Sequence, residues 1–253
     1  MRFIIYLIIL LPILNSCTSG STDKYTEYVL SKSDIDDVVS DMMKTRNFSN
    51  SVFINKISLK DGQQADAGLS FIMDINGAKF IVSAKHLLGP AVGFKDTVKT
   101  ENIAKEVSAW QCTNLSSTDS IYAGLNDITV AKGDVLIFNS IINKNNFAYR
   151  SFKLSKMMIP VTMNGETDMA HAPGMFYLVA YEGRKEILIP LKLAGDYQEY
   201  YLFRKGKDFN FHGYSGGPIL DEKGNVFAIL SAGIDNNGEE LIAGTKIRPL
   251  NLK

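Results

Sequence analysis

The run Gly213-Tyr214-Ser215-Gly216-Gly217-Pro218 constrains this chain more than any other stretch of it. It reads as a glycine-rich turn that carries one hydroxyl. Ile219-Leu220 follows, then Asp221-Glu222-Lys223-Gly224-Asn225, then the apolar run Val226 to Leu230, a pattern that predicts a hairpin. The serine therefore sits on a loop held by strands. Gly213, without a Cβ, can adopt positive φ and approach a ligand closely. Attack by Ser215 on an amide or ester carbonyl would create an oxyanion that the N–H groups of Gly213 and Ser215 could bind. In enzymes one such donor is worth about 3 to 4 kcal/mol of barrier. Glycine, serine and proline also punctuate ordinary loops, so this reading depends on what accompanies Ser215.

A serine nucleophile needs a base, and the chain has three histidines. His86 ends the strand-like run Phe80-Ile81-Val82-Ser83-Ala84-Lys85. His212 lies on the tight loop three residues before Ser215, close enough in the chain to make it a poor base but available as a lid or accessory proton carrier. His171 stands in Asp168-Met169-Ala170-His171-Ala172-Pro173, a loop with no strand to hold the ring. His86 has the most suitable setting. Gly68-Leu69-Ser70-Phe71-Ile72-Met73-Asp74 and Phe80-Ile81-Val82, joined through Asn76-Gly77, predict a hairpin with a type I′ turn that ends near it.

Between His86 and Ser215, two acids precede apolar strand-like runs. Asp134 comes before Val135-Leu136-Ile137-Phe138, and Asp127 before Ile128-Thr129-Val130. Either could be a carboxylate behind an imidazole or a turn residue opening a strand.

The order of these pieces resembles the trypsin-like (chymotrypsin-fold) serine peptidases, in style closest to bacterial members without disulfides. The resemblance spans roughly residues 50 to 250. It implies an all-β fold of two packed six-stranded β-barrels over residues 50–253. It also implies peptide-bond hydrolysis through an acyl-enzyme, with a protein or peptide as substrate and no cofactor. Ser215 would be the nucleophile, His86 the general base, and Asp134, favoured over Asp127, the acid that orients the ring. Gly213 and Ser215 would form the oxyanion hole, and Phe209, Ser231 and Gly233 would line the pocket for the substrate side chain. Phe209, rather than an acid, stands six residues before Ser215, which disfavours Lys or Arg there, although Asp208 is adjacent. Lys85 departs from the family's usual small residue or Asn. Tyr214 replaces an Asp that, in animal digestive enzymes, pairs with a new N-terminal amine. A tyrosine cannot form that ion pair at neutral pH, so no activation of that kind is expected.

Arg2 and the apolar run from Phe3 to Leu14 fit a secretory signal over residues 1–16. Leu14-Asn15-Ser16-Cys17 resembles a bacterial lipobox, which implies lipidation of Cys17 and a place on the cell envelope, at the outer membrane or its periplasmic face. Residues 17–30 read as a polar tether. Residues 31–48 read as a helix behind a Ser33 cap, with Ile35, Val38, Val39, Met42 and Met43 on one face, expected to pack on the body. The only other cysteine, Cys112, then has no partner, so the fold is expected to rest on its core. With 45% hydrophobic residues in 253 the chain can supply one. Zero formal net charge gives no sign of nucleic-acid binding, and no Cys or His spacing suggests a metal. Two other readings remain open: a non-catalytic member of the same fold that binds a peptide or partner protein, and an esterase.

Overall fold

The structure, a computed structural model, describes residues 39–43, 48, 50–114, 119–130, 133–159, 174–205, 209–236 and 239–247. Cys17, His171, Asp208 and most of the expected signal, tether and helix lie outside them. Residues 39–43 are helical, with Met42 buried in the core and Val39 and Met43 packed against it.

Alternating and β-branched sequence builds two β units in succession. The first comprises β1 (Val52–Leu59), β2 (Gln64–Ile75), β3 (Ala78–Ala84), β4 (Val107–Thr113), β5 (Ser120–Ala123), β6 (Ile128–Val130), β7 (Val135–Phe138), β8 (Ile141–Ile142) and β9 (Phe152–Lys153). Its order is β6-β7-β3-β2-β1-β4-β5-β8, with β9 parallel to β2. The second comprises β10 (Phe176–Glu182), β11 (Lys185–Asp196), β12 (Tyr200–Lys205), β13 (Pro218–Leu220), β14 (Val226–Asn236) and β15 (Glu239–Lys246). These close into a six-stranded barrel, β10-β11-β12-β15-β14-β13. The expected pair of six-stranded units thus appears as one such barrel and one larger sheet. Two- and three-residue pieces, β6, β8 and β9, extend the first unit to nine strands, and β8 returns against β3.

The turn between β2 and β3 has Asn76 at φ 53° and Gly77 at φ 87°, the left-handed pair that a type I′ hairpin requires. The turn from β13 to β14 is held by Asp221, whose Oδ1 accepts the N–H groups of Lys223 and Asn225 at 2.9 Å.

The two units share one core. Phe176, Leu178 and Ala180 on β10 point into the closed barrel, while Tyr177, Val179 and Tyr181 join the cluster beneath the first sheet. This is the period-two alternation of a strand with both faces covered. The Tyr181 hydroxyl donates to Val52 O at 2.6 Å, linking β10 to β1.

Within the first unit a buried polar cluster centres on Asn55. Its Oδ1 accepts from Ser70 Oγ (2.5 Å) and Trp110 Nε1 (3.0 Å), and its Nδ2 donates to Ala67 O and Ser83 Oγ. Ser83 Oγ in turn donates to Leu69 O at 2.7 Å. Cys112 is a buried free thiol beside this cluster, and burial pushes its pKa up to about 12. Asn55→Ala strands the Trp110 and Ser70 donors. It is expected to cost about 3 kcal/mol of stability, measured as a lowered urea midpoint.

Candidate active site

Strand register delivers His86 to Asp134. β3 pairs with β7 so that Ala84 lies opposite Val135, which brings the residues after Ala84 to the residue before Val135. There the chain enters a short 3-10 turn, Lys85–Leu88, anchored by the buried Leu87 and Leu88. The Asp134 carbonyl accepts the Lys85 N–H at 3.0 Å. Its carboxylate Oδ1 accepts the His86 N–H at 2.8 Å, and Oδ2 lies 2.5 Å from His86 Nδ1. An ionised carboxylate can only accept, so Nδ1 carries the proton and Nε2 is left for a second partner. The His86 side chain is 37% exposed and that of Asp134 24%, so the ring remains reachable from solvent while its carboxylate is better covered.

Asp127 is occupied elsewhere. Its Oδ1 accepts from Asn139 Nδ2 at 2.6 Å and its carbonyl accepts the Asn139 N–H at 2.9 Å. It opens β6 as a turn residue.

The serine loop comes from the second barrel. Tyr214 N–H donates to Phe211 O at 3.1 Å, and Gly213 has φ 90°, the positive φ that a type II turn requires at its third residue. Gly217 N–H returns to Tyr214 O at 2.9 Å and Gly216 N–H to Leu230 O at 2.7 Å. Among the described residues neither the Gly213 nor the Ser215 N–H is used by such a bond. Both donors are thus available for an oxygen beside Ser215.

This loop docks on the first sheet through backbone contacts. Leu69 N–H donates to Ser215 O at 2.7 Å. A Cβ on Gly68 would lie 2.3 Å from Ser215 O, and one on Gly216 would lie 2.2 Å from Leu69 O and 3.0 Å from Ala84 N. Ala84 is two residues before His86, so the loop rests on the end of β3. No hydrogen bond joins Ser215 Oγ to His86 in this structure.

The Tyr214 hydroxyl donates to Tyr181 O at 2.7 Å, and its ring meets that of Phe209 with centroids 5.1 Å apart. An uncharged bond stands where the resemblance has an ion pair. Tyr181 was not among the sequence candidates, since only the barrel brings β10 beneath the serine loop. Gly68 did carry a signal, an isolated glycine inside a strand pattern, which marks a close backbone approach.

Of the remaining candidates, Ser231 Oγ lies 2.6 Å from Thr245 Oγ1. Thr245 Cγ2 in turn would be 3.1 Å from a Cβ on Gly133, next to Asp134. Gly233 is exposed, with the Phe211 ring on one side, 2.3 Å from where its Cβ would be. Phe209 is partly buried against Tyr214 rather than Gly233. His212 is exposed beside the Gly213 turn.

No protein-family model matches this chain, and no curated protein matches it significantly. Solved structures do. The active form of the Rv3671c protease from M. tuberculosis superposes with a TM-score of 0.51 at 12% identity, covering 94% of this chain and 89% of that one. The inactive form of the same M. tuberculosis protein, a serine-to-alanine mutant, gives 0.46 at 13% identity, covering 82% and 84%. With a closed six-stranded barrel, a second sheet and few helices, the chain has the trypsin-like two-barrel fold.

Gly216→Ala forces a left-handed alanine against the Leu69 carbonyl. It is expected to cost more than about 2 kcal/mol, read as a lowered thermal midpoint. Tyr214→Phe, which removes only the hydroxyl, is expected to cost about 1 kcal/mol in the same measurement.

Proposed function

We propose that this protein is a serine endopeptidase in which Ser215 attacks, His86 transfers the proton and Asp134 orients and stabilises the imidazolium. The observation that carries the proposal is the double clasp of His86 by the Asp134 carboxylate, at 2.8 and 2.5 Å, beside a serine turn with two uncommitted N–H groups. His86 Nε2 takes the Ser215 proton as Oγ bonds to the scissile carbonyl, then returns it to the leaving amine. The developing oxyanion is held by the N–H groups of Gly213 and Ser215. Water then hydrolyses the acyl-enzyme by the same route. No step in this scheme calls for a cofactor.

Phe209, Ser231 and Gly233 are proposed to bound the acyl-side pocket, with Phe211 beside Gly233 in its wall. The bond from Tyr214 to the Tyr181 carbonyl supports a serine turn that forms without insertion of a new N-terminus. We further propose that the enzyme is lipid-anchored through Cys17 to the bacterial cell envelope, a reading that rests on the Leu14-Asn15-Ser16-Cys17 motif.

The test is labelling of the full-length protein with a fluorophosphonate probe. The wild type is expected to label, and Ser215→Ala and His86→Ala to abolish labelling. A folded wild type that does not label would favour the peptide-binding reading. Asp134→Asn is expected to lower turnover by about four orders of magnitude through loss of the correct tautomer, measured on a peptide substrate and on a simple ester. Hydrolysis of the ester alone would favour an esterase.

A further inference from the structure

Beside the serine turn lies a depression that none of Phe209, Ser231 and Gly233 touches. Its volume is about 410 Å³. One wall is the first sheet, with Asp66 and Gly68. The other is the second barrel, with Tyr181, Gly183, His212 and Gly213. Gly68 is the residue whose missing Cβ admits the Ser215 carbonyl, and Gly213 carries one of the uncommitted N–H groups. The depression therefore borders the serine turn, with Gly213 and Tyr214 in its wall and Ser215 next in the chain.

Direction follows from the proposed function, on which this inference rests. If the acyl part of a substrate lies along Ser231 to Gly233, the part that leaves enters the space between Gly68 and Gly213.

The chemistry of that space is set by one group. Among the described lining residues Asp66 is the only Asp, Glu, Lys or Arg. Its side chain is exposed and makes no hydrogen bond or ion pair. Lys56 is its cross-strand neighbour on β1 but forms no salt bridge with it. Glu182 and Arg184, which flank Gly183 in the turn between β10 and β11, carry opposite charges. His212, Tyr181 and Tyr214 are the other titratable side chains of the lining. An uncommitted carboxylate in a groove attracts and orients a cation.

We propose that Asp66 is a specificity-determining residue that selects Lys or Arg at the first or second position after the scissile bond. This concerns the departing half of the substrate and is separate from the acyl-side pocket, where Phe209 stands.

The preference can be read without knowing the natural substrate, by following the fate of the acyl-enzyme. The full-length protein is acylated with an activated peptide ester in the presence of an added amine. The amine nitrogen attacks the acyl carbonyl, the C–N bond forms and the C–Oγ bond to Ser215 breaks. The amine proton passes through His86 to Ser215 Oγ. Arginine amide is compared with glutamine amide, and leucyl-arginine amide with leucyl-glutamine amide. Each yield of aminolysis is divided by that of hydrolysis in the same tube. The wild type is expected to favour the arginine nucleophile about fivefold in at least one pair, the upper range for an exposed ion pair. Asp66→Asn is expected to bring that ratio close to one, and Asp66→Lys to invert it. Because each ratio is internal to one protein, changes in total turnover cancel. Equal use of the Arg and Gln nucleophiles by the wild type, or a preference that survives Asp66→Asn, would overturn the assignment. A wild type that neither consumes ester nor labels with fluorophosphonate would instead overturn the catalytic proposal, and this inference with it.

Discussion

One backbone hydrogen bond, from Leu69 N–H to the Ser215 carbonyl, joins the two halves of this molecule at the place where chemistry is proposed. It closes a loop over most of the fold, so its formation depends on both β units being assembled. Glycine at 68 and 216 permits it, because a Cβ at either position would occupy the space of a backbone oxygen. The surrounding contacts work in the same direction. Tyr181 ties β10 to the Val52 carbonyl, Tyr214 ties the serine loop to the Tyr181 carbonyl, and the outward face of β10 shares its core with the first sheet.

The site divides its labour between the halves. The first sheet holds the imidazole by register: Ala84 opposite Val135 brings Asp134 under the turn that carries His86, and the carboxylate is spent on one ring N–H and one backbone N–H. The second barrel holds the hydroxyl by turn geometry, with Gly213 in the left-handed region and two N–H groups left over. Such donors are useful because they are oriented before charge appears and need not reorganise. Beneath both halves, Ser83 Oγ links the Leu69 carbonyl to the Asn55 cluster, so the docking strand is held in place from below by buried polar bonds.

Local chemistry made part of this legible from residues alone. The Asn76-Gly77 turn, the Gly213 to Pro218 turn and the strands around them follow from backbone preferences that act over a few residues. Which acid faces His86 does not. Asp134 and Asp127 have the same local appearance, and the pairing of β3 with β7, a long-range fact, separates them. The size of the first sheet was hidden for a related reason, since β8 and β9 are too short to carry a period and form only because a neighbour offers an edge. The partner of Tyr214 depends on closure of the second barrel, which brings β10 beneath the serine loop, and the Asp66 groove on docking of the two halves; no periodicity along the chain reports either.

The central claim is that docking builds one reaction centre from His86, Asp134, Ser215 and the Gly213 turn. The most direct measurement is a crystal structure of the protein after reaction with a fluorophosphonate. The account predicts phosphorus bonded to Ser215 Oγ, a phosphonyl oxygen within hydrogen-bonding distance of the Gly213 and Ser215 N–H groups, and His86 Nε2 facing the esterified oxygen. An adduct whose phosphonyl oxygen points to solvent while His86 Nε2 faces elsewhere would contradict it.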